Sequence, residues 1–161
     1  MLKLNIGSGR DFHQPGFINL DQRPEHSDVS ADARHLPIKN GSLDAVVSFH
    51  LVEHVPMADV VPMLREWARV MKSGATIAIE CPEFDESCRQ YLAAPPGPQK
   101  DRCLKIIFGF QPVDFHYNGF NADRLAWVMR EAGFTDIKKA KPIRRIFGPT
   151  EALLRLEARK P

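Results

Sequence analysis

Small residues and a carboxylate near the start of the chain have the types and spacing of a nucleotide site. An apolar strand is interrupted by Gly7 and Gly9, and a second strand over residues 16–20 is followed by Asp21. Glycine lacks a Cβ and tolerates positive φ, so the backbone of this loop can approach a ligand closely. A carboxylate at the next strand end can accept hydrogen bonds from both ribose hydroxyls. The pattern therefore predicts a nucleotide bound across the two strand ends.

Three histidines and a glutamate are the groups best suited to proton transfer. His50, Glu53 and His54 directly follow a strongly apolar strand over residues 43–49, and His116 lies in an irregular segment. Imidazole exchanges a proton near neutral pH, which suits a general base. We therefore expect His50, His54 or His116 to be catalytic, and Glu53 to orient its neighbours or contact the bound ligand.

The same segment also matches the motif of the inverted zinc peptidases, His-x-x-Glu-His, in which zinc is bound and the glutamate is the base. That motif requires a helix, because only a helix brings histidines four residues apart to one face. Here it follows a buried strand, and Pro56 comes two residues after His54. A zinc hydrolase using His50, Glu53 and His54 remains the less favoured alternative, and we expect no metal centre.

The order of the apolar segments predicts an open α/β sheet. Buried strands are expected over residues 43–49 and 75–81, with a helix over residues 59–71 between them because its apolar residues recur at helical spacing. The remaining predicted elements are a short helix over 101–108, a helix capped by Asn121, and a final strand pair over 137–140 and 152–158.

Only seven residues, 10–16, separate Gly9 from Phe17. That is too few for an ordinary crossover helix between parallel strands. Either the first two strands are joined by an abbreviated crossover, or they are not parallel. A second irregular stretch, residues 93–98, is rich in proline and is expected to be a loop or a mobile lid.

Together these segments resemble the class I S-adenosylmethionine-dependent methyltransferases, in particular the small, type 11-like ones. Residues 4–9, Leu-Asn-Ile-Gly-Ser-Gly, are similar to the first-motif loop of that family, and residues 42–54 to its fourth-strand motif. Residues 64–74 resemble its helix-to-strand element, and residues 120–134 its late helix. The resemblance extends from residue 2 to about residue 140.

The resemblance implies a Rossmann-like, open twisted sheet, mostly parallel with an antiparallel last strand and with helices on both faces. It implies S-adenosylmethionine as cofactor and methyl transfer to an oxygen or nitrogen of an unidentified small-molecule or glycan-linked acceptor. A catalytically silent protein that only binds the cofactor is the alternative. The implied cofactor-binding residues are Gly7, Ser8, Gly9, Asp21, Gln22, Asp32, Ala33, Phe49, His50 and Glu53.

Three positions depart from the family pattern. Asn5 replaces a common acidic residue just before the glycines, so a contact often made there is expected to be weaker or to pass through water. Arg10 and Asp11 follow Gly9, where a longer loop has a third glycine, and the missing glycine also disfavours a dinucleotide-binding module. Ser73 replaces a proline that affects only a turn.

Composition limits the class of protein. The 161 residues, 43% of them hydrophobic, suit a single domain over residues 1–161. The formal charge of +2, from 22 basic and 20 acidic residues, gives no general case for a nucleic-acid or membrane partner. The expected partner is the methyl acceptor. If the chain forms a homodimer, a second subunit is expected to close the pocket. A locally basic run comprises Lys138, Lys139, Lys141, Arg144 and Arg145.

The cysteines indicate a reducing compartment. Cys81, Cys88 and Cys103 are odd in number and lack Cys-x-x-Cys spacing, so that neither a disulfide framework nor a zinc knot is expected. Cys81 belongs to an apolar strand and is interpreted as a buried residue rather than a nucleophile. Free thiols and the absence of a leader or membrane span in this sequence predict a cytoplasmic location.

Overall fold

A mixed β-sheet organises the molecule. The computed structural model describes residues 1–110, 112, 114–143, 148 and 151–161. Within these residues the sheet has seven strands. The strands are β1 (Lys3–Ile6), β2 (Ile18–Asp21), β3 (Val29–Ser30), β4 (Leu43–Phe49), β5 (Met71–Pro82), β6 (Thr135–Lys139) and β7 (Leu153–Arg159).

The strand order is β3-β2-β1-β4-β5-β7-β6. The first five strands of the chain pair in parallel, and β7 is antiparallel to both of its neighbours, β5 and β6. This arrangement confirms the Rossmann-like fold class and the final strand pair. It also settles the question of the short connection: β1 and β2 are parallel, so that residues 7–17 form an abbreviated crossover without a helix.

Helices cover the sheet unevenly. The described residues form the α-helices α1 (Met57–Val70), α2 (Phe84–Ala93), α3 (Pro98–Phe108) and α4 (Ala122–Glu131), and the short 3-10 turns Pro24–His26 and Val52–His54. The helices α1, α3 and α4 were predicted from periodicity and capping. The side chain of Asn121 accepts a hydrogen bond from the Arg124 amide, as expected of an N-cap. Helix α2 was not predicted.

One face of the sheet forms the main core. Because side chains alternate along a strand, Leu4 and Ile6 of β1 share this face with their partners on β4 and β5. Helices α1 and α4 pack in the same cluster, where Trp67 is fully buried. The indole Nε1 of Trp67 donates to the carbonyl oxygen of Ala33 at 2.8 Å and so ties α1 to the segment after β3. The periodic apolar residues of α1 thus fix the helix against the sheet.

On the opposite face the crossover loop takes the place of a helix. The Phe12 ring is buried against the end of β4, and Lys3 of β1 lies 5.1 Å from the centre of the Phe17 ring. Asn5 points to this side and is fully buried. Its Nδ2 donates to the Phe12 carbonyl at 2.7 Å and to Oδ1 of Asn19 on β2 at 2.9 Å. The Asn5 amide therefore joins β1, β2 and the loop.

Replacing Asn5 by aspartate tests this interpretation. The Asn5→Asp carboxylate would face two oxygen acceptors without a proton to donate, and we expect a loss of about 3 kcal/mol in the free energy of unfolding, measured by urea denaturation at neutral pH. The matched control is Asn40→Asp, because Oδ1 of Asn40 accepts a hydrogen bond from Arg69 and a carboxylate keeps that role. Equal stability of the two variants would contradict the assigned role of Asn5.

Candidate active site

The predicted site residues meet where the parallel strands end. Strands β1, β2, β4 and β5 run in the same direction and are paired close to their carboxyl ends, Ile6 with both Leu20 and Ser48, and Phe49 with Glu80. The loops that leave these ends therefore lie side by side along one edge. Ligands of open α/β sheets bind at such an edge.

The glycine loop is folded back onto β2. The amides of Gly7 and Ser8 donate to the Leu20 carbonyl at 2.8 and 3.1 Å, and the amide of Gly9 donates to Oδ2 of Asp21 at 2.8 Å. Both glycines have positive φ, +73° and +45°. A Cβ on Gly9 would meet no atom within 4 Å, whereas one on Gly7 would lie 2.9 Å from the Leu51 side chain. The backbone at Gly9 thus borders open space, as a ligand cradle requires.

Asp21 has a structural role in addition to its predicted one. Its two oxygens accept hydrogen bonds from the amides of Gly9 and Arg23, at 2.8 and 3.0 Å. A carboxylate oxygen has two lone pairs, so acceptor capacity for ribose hydroxyls remains. The amide of Ala31 donates to the Asp21 carbonyl at 3.0 Å, which brings the segment after β3 alongside. Asp21 therefore links three of the predicted cofactor segments.

The other predicted cofactor residues differ in what their side chains contact. Oγ of Ser8 is buried and donates to the His26 carbonyl at 3.0 Å, while Gln22 is exposed and its carbonyl accepts from Oγ of Ser30. Asp32 forms an ion pair with Arg34 at 2.7 Å. The hydrogen bond from Arg34 lowers the pKa of Asp32 to about 2, although burial acts to raise it. Ser8 and Asp32 thus support the loops that they belong to.

The end of β4 is enclosed by aromatic and carboxylate groups. Phe12 stacks on Phe49 and on His50, with ring centres 6.1 and 5.1 Å apart. His50 has φ +49°, and its amide donates to the Glu80 carbonyl at 2.8 Å. Positive φ is uncommon outside glycine and is found at turns and strained sites. This turn directs the His50 side chain inward, beneath Phe12.

His50 lies between two carboxylates. Its Nδ1 is 3.5 Å from Oε1 of Glu53, and its Nε2 is 3.8 Å from Oε1 of Glu151. Burial acts to lower the pKa of His50, but the nearby carboxylate of Glu53 and the charges of Glu151 and Glu80 outweigh it, so that this pKa is raised. His50 is therefore suited to positioning Glu53 rather than to meeting a substrate directly.

Glu53 is the most unusual side chain of the site. It is 2% exposed, and neither of its carboxylate oxygens has a hydrogen-bond partner in the described part of the chain. Burial acts to raise the pKa of Glu53, but the nearby His50, followed by the charges of His54 and His116, lowers it overall. A buried carboxylate that ionises without a hydrogen-bonded partner is costly, and such groups concentrate at functional sites.

His54 and His116 approach Glu53 from the outer side. The rings of the two histidines pack edge to face with their centres 4.7 Å apart, and Nε2 of His54 is 3.9 Å from Oε1 of Glu53. Burial lowers the pKa of His116 below its ordinary value, the charge of Glu53 opposing this. The amides of Tyr117 and Asn118 donate to the Glu53 carbonyl at 2.8 and 3.2 Å, which holds the His116 segment in place.

The helix that the inverted zinc-peptidase motif requires is absent from this stretch of the described chain. Residues 52–54 form one 3-10 turn, and His50 precedes it with a left-handed backbone. Nε2 of His50 faces Glu151, whereas Nε2 of His54 faces Glu53. His50 and His54 are thus not a pair of ligands on one helical face, and the zinc hydrolase loses its structural basis.

Several residues of this region were missed in the sequence. Glu80 is fully buried, and its Oε2 accepts from the Ile143 amide at 2.9 Å and lies 3.5 Å from Nη1 of Arg155. Arg155 packs against the Phe49 ring, 6.0 Å from its centre. The position of Glu80 at the end of an apolar strand could have identified it as a site residue from the sequence. Nothing in the sequence around Glu151 or Phe12 marks them as part of the site. Cys81 is fully buried and its pKa is well above the ordinary value because of burial, which confirms that it is no nucleophile.

A cleft opens beside Glu53 and His116. It is small, and both apolar and polar side chains line it. The residues that line it are Glu53, Pro82, Phe84, Ser87, Ile106, Ile107, His116, Asn118 and Gly119.

Comparisons with known proteins agree with this geometry. The sequence model of a family described as "Methyltransferase domain" matches residues 11–79. A probable S-adenosylmethionine-dependent methyltransferase of Mycobacterium tuberculosis is 27% identical over 129 residues, which are 79% of this chain and 40% of the relative. The chain thus spans less than half the length of the curated relatives that it matches.

Solved structures show the same fold. A methyltransferase of Thermotoga maritima, described as a possible histamine N-methyltransferase, superposes with a TM-score of 0.70 at 18% identity, covering 99% of this chain and 82% of that one. A methyltransferase of Methanosarcina mazei gives 0.69 at 16% identity, covering 98% and 91%. A Haloferax volcanii putative methyltransferase in complex with the activator Trm112 gives 0.66 at 18% identity, covering 99% and 82%.

The chain thus has the Rossmann-like fold of the solved methyltransferases, and its sequence similarity to the methyltransferase-domain family over residues 11–79 implies S-adenosylmethionine as cofactor. The match to the methyltransferase-domain family confirms the resemblance recognised in the sequence. Of the described residues, no helix has the length and apolarity needed to cross a membrane. Arg144 and Arg145 of the basic run lie outside the described residues.

The two loop glycines should respond differently to alanine. Gly7→Ala adds both an unfavourable φ and a contact with Leu51, and we expect it to lower the free energy of unfolding by about 2 kcal/mol. Gly9→Ala adds only the φ penalty, about 1 kcal/mol. Urea denaturation of both variants measures the difference, and a greater loss at Gly9 would mean that the loop is folded differently.

Proposed function

We propose that this chain is an S-adenosylmethionine-dependent methyltransferase acting on an oxygen or nitrogen acceptor. The observation that carries the proposal is the meeting of three features at one sheet edge: the open backbone at Gly9, the Asp21 carboxylate, and the cluster around Glu53. The first two suit the methionine and ribose parts of the cofactor. The third borders a small cleft, where an acceptor would have to approach the methyl group.

The residues present fit the cofactor. The loop over residues 7–9 would hold the methionine end by its backbone, Asp21 the ribose, and residues 32–33 the adenine. The sulfonium supplies a methyl group that is already activated, so the protein mainly orients the reactants and excludes water. When bound, the cofactor would supply this methyl group to an acceptor lone pair, and His116, the predicted catalytic histidine that lines the cleft, would be placed to take the proton that the acceptor loses.

Of the predicted catalytic histidines, His116 lines the cleft together with Glu53. His54 lies beside them, with its Nε2 3.9 Å from Oε1 of Glu53, while His50 is held between Glu53 and Glu151. We therefore assign the contact with the acceptor to Glu53 and His116, and a positioning role to His50. The acceptor stays unidentified, but the ring of Phe84, which lines the cleft and is 38% exposed, suits an aromatic group or the apolar face of a sugar.

Isothermal titration of the metal-free protein with S-adenosylmethionine tests the proposal. We expect binding of S-adenosylmethionine and of S-adenosylhomocysteine at micromolar concentration, and no binding of NAD because the loop lacks the third glycine and the following helix. If neither S-adenosyl compound binds, the proposal fails, and the chain shares only its fold with the methyltransferases. Binding without turnover on any acceptor would identify a catalytically silent protein.

Removal of the Asp21 carboxylate should weaken cofactor binding. The Asp21→Ala protein lacks the acceptor for the ribose hydroxyls and the hydrogen bond from the Gly9 amide. We therefore expect the binding free energy of S-adenosylhomocysteine, measured by titration, to be about 1–3 kcal/mol less favourable. Asp123→Ala, which removes an exposed carboxylate in the first turn of α4, serves as the control. An unchanged affinity of the Asp21→Ala protein would overturn the ribose assignment.

A further inference from the structure

We infer that Glu53, His54 and His116, here called the metal triad, form a binding site for one divalent metal ion. Each residue offers a ligand atom, and these atoms all lie within 4.8 Å of one another. In a bound zinc site, ligand atoms about 2 Å from the metal are about 3.3 Å apart. Side-chain rotations that move these ligand atoms by about 1 Å would bring the triad to the spacing of a bound ion.

The first argument is the state of the Glu53 carboxylate. It is almost completely buried, and neither oxygen has a hydrogen-bond partner among the described residues. Buried polar groups are nearly always hydrogen-bonded, and His50, with its Nδ1 3.5 Å from Oε1, still leaves both carboxylate oxygens without a hydrogen bond. A cation between Glu53 and the two imidazoles would be a direct partner for these oxygens.

The second argument is the tautomer of His54. Its Nδ1 lies 2.9 Å from the Phe115 carbonyl oxygen and 3.0 Å from Oδ1 of Asp114. A carbonyl only accepts, so Nδ1 carries the proton and the lone pair of the neutral ring is on Nε2, the nitrogen that faces Glu53. Metal-bound histidines typically donate their second nitrogen to a carbonyl or a carboxylate in this way.

The third argument is that the backbone brings the ligands together before any ion binds. Glu53 and His54 share one 3-10 turn, and the Glu53 carbonyl accepts the amides of Tyr117 and Asn118. The amide of His116 itself donates to the Phe108 carbonyl at 3.2 Å. His116, 62 or more positions along the chain from its partners, is thus fixed beside them from both sides.

Two imidazoles and one carboxylate favour zinc or manganese over magnesium, which prefers oxygen ligands. Three protein ligands leave coordination positions open, and two of the three residues line the acceptor cleft. The ion would therefore bind an oxygen of the acceptor, which makes a hydroxyl-bearing molecule the favoured acceptor class. This role rests on the proposed methyltransferase function; the metal binding does not.

The experiment titrates metal-free protein with Co²⁺, Zn²⁺, Mn²⁺ and Mg²⁺ alone, followed by calorimetry and by the visible absorption of Co²⁺. We expect one ion per chain, with Zn²⁺ and Mn²⁺ preferred to Mg²⁺. His116→Ala and Glu53→Gln should each weaken Zn²⁺ binding at least about tenfold and change the Co²⁺ spectrum. His35→Ala, which removes an exposed histidine outside the triad, should bind as the unmodified protein does.

Thermal melting of each metal-free variant shows whether it is folded, and Glu53→Gln provides a variant of nearly unchanged size. Unaltered Zn²⁺ affinity in the folded Glu53→Gln or His116→Ala protein would overturn the site, as would the absence of one-to-one binding. Because the cofactor titration is made on metal-free protein, failure of S-adenosylmethionine to bind counts against the proposed function alone.

Discussion

The buried Asn5 amide is the interaction on which the arrangement of the site depends. Strands β1 and β2 are parallel neighbours joined by a loop too short for a helix, so the contacts of single side chains must fix that loop. One amide group donates to both the loop carbonyl of Phe12 and the side chain of Asn19. A carboxylate at this position could donate neither bond. The asparagine amide therefore suits the compact glycine loop better than an acidic residue would.

Periodicity and capping were sufficient to predict the elements that stabilise themselves locally. The apolar residues of α1 recur at helical spacing because they pack on a sheet, and Asn121 caps α4 through its own backbone neighbour. Helix α2 was missed because its only fully buried side chain is Ser87, so no apolar face marks it. Its stability comes from the Glu83 cap and from packing against α3, a tertiary contact that no window of sequence shows.

The same distinction applies to the site. The glycines, Asp21 and the segment from His50 to His54 could be recognised because strand ends and turn residues lie close to them in sequence. The buried partners Glu80 and Arg155 are 75 positions apart, and Glu151 reaches His50 from a loop. Their burial follows from the antiparallel pairing of β5 with β7, which sets Glu80 directly opposite Arg155. The spacing of residues along the sequence does not show which residues of two distant strands lie opposite each other.

The turn after β4 combines features that lower stability. His50 has positive φ without being glycine, a conformation that only Asp136 shares among the described non-glycine residues, and Glu53 buries a carboxylate without hydrogen bonds. Backbone strain costs on the order of 1–3 kcal/mol, and buried carboxylate oxygens without hydrogen bonds cost at least about as much. Glycine at position 50 would relieve the strain, and an apolar side chain of similar volume at position 53 would remove the buried charge. Because the costs coincide at the sheet edge where the cleft opens, they are best explained by a requirement for charge and for ligand atoms at that point.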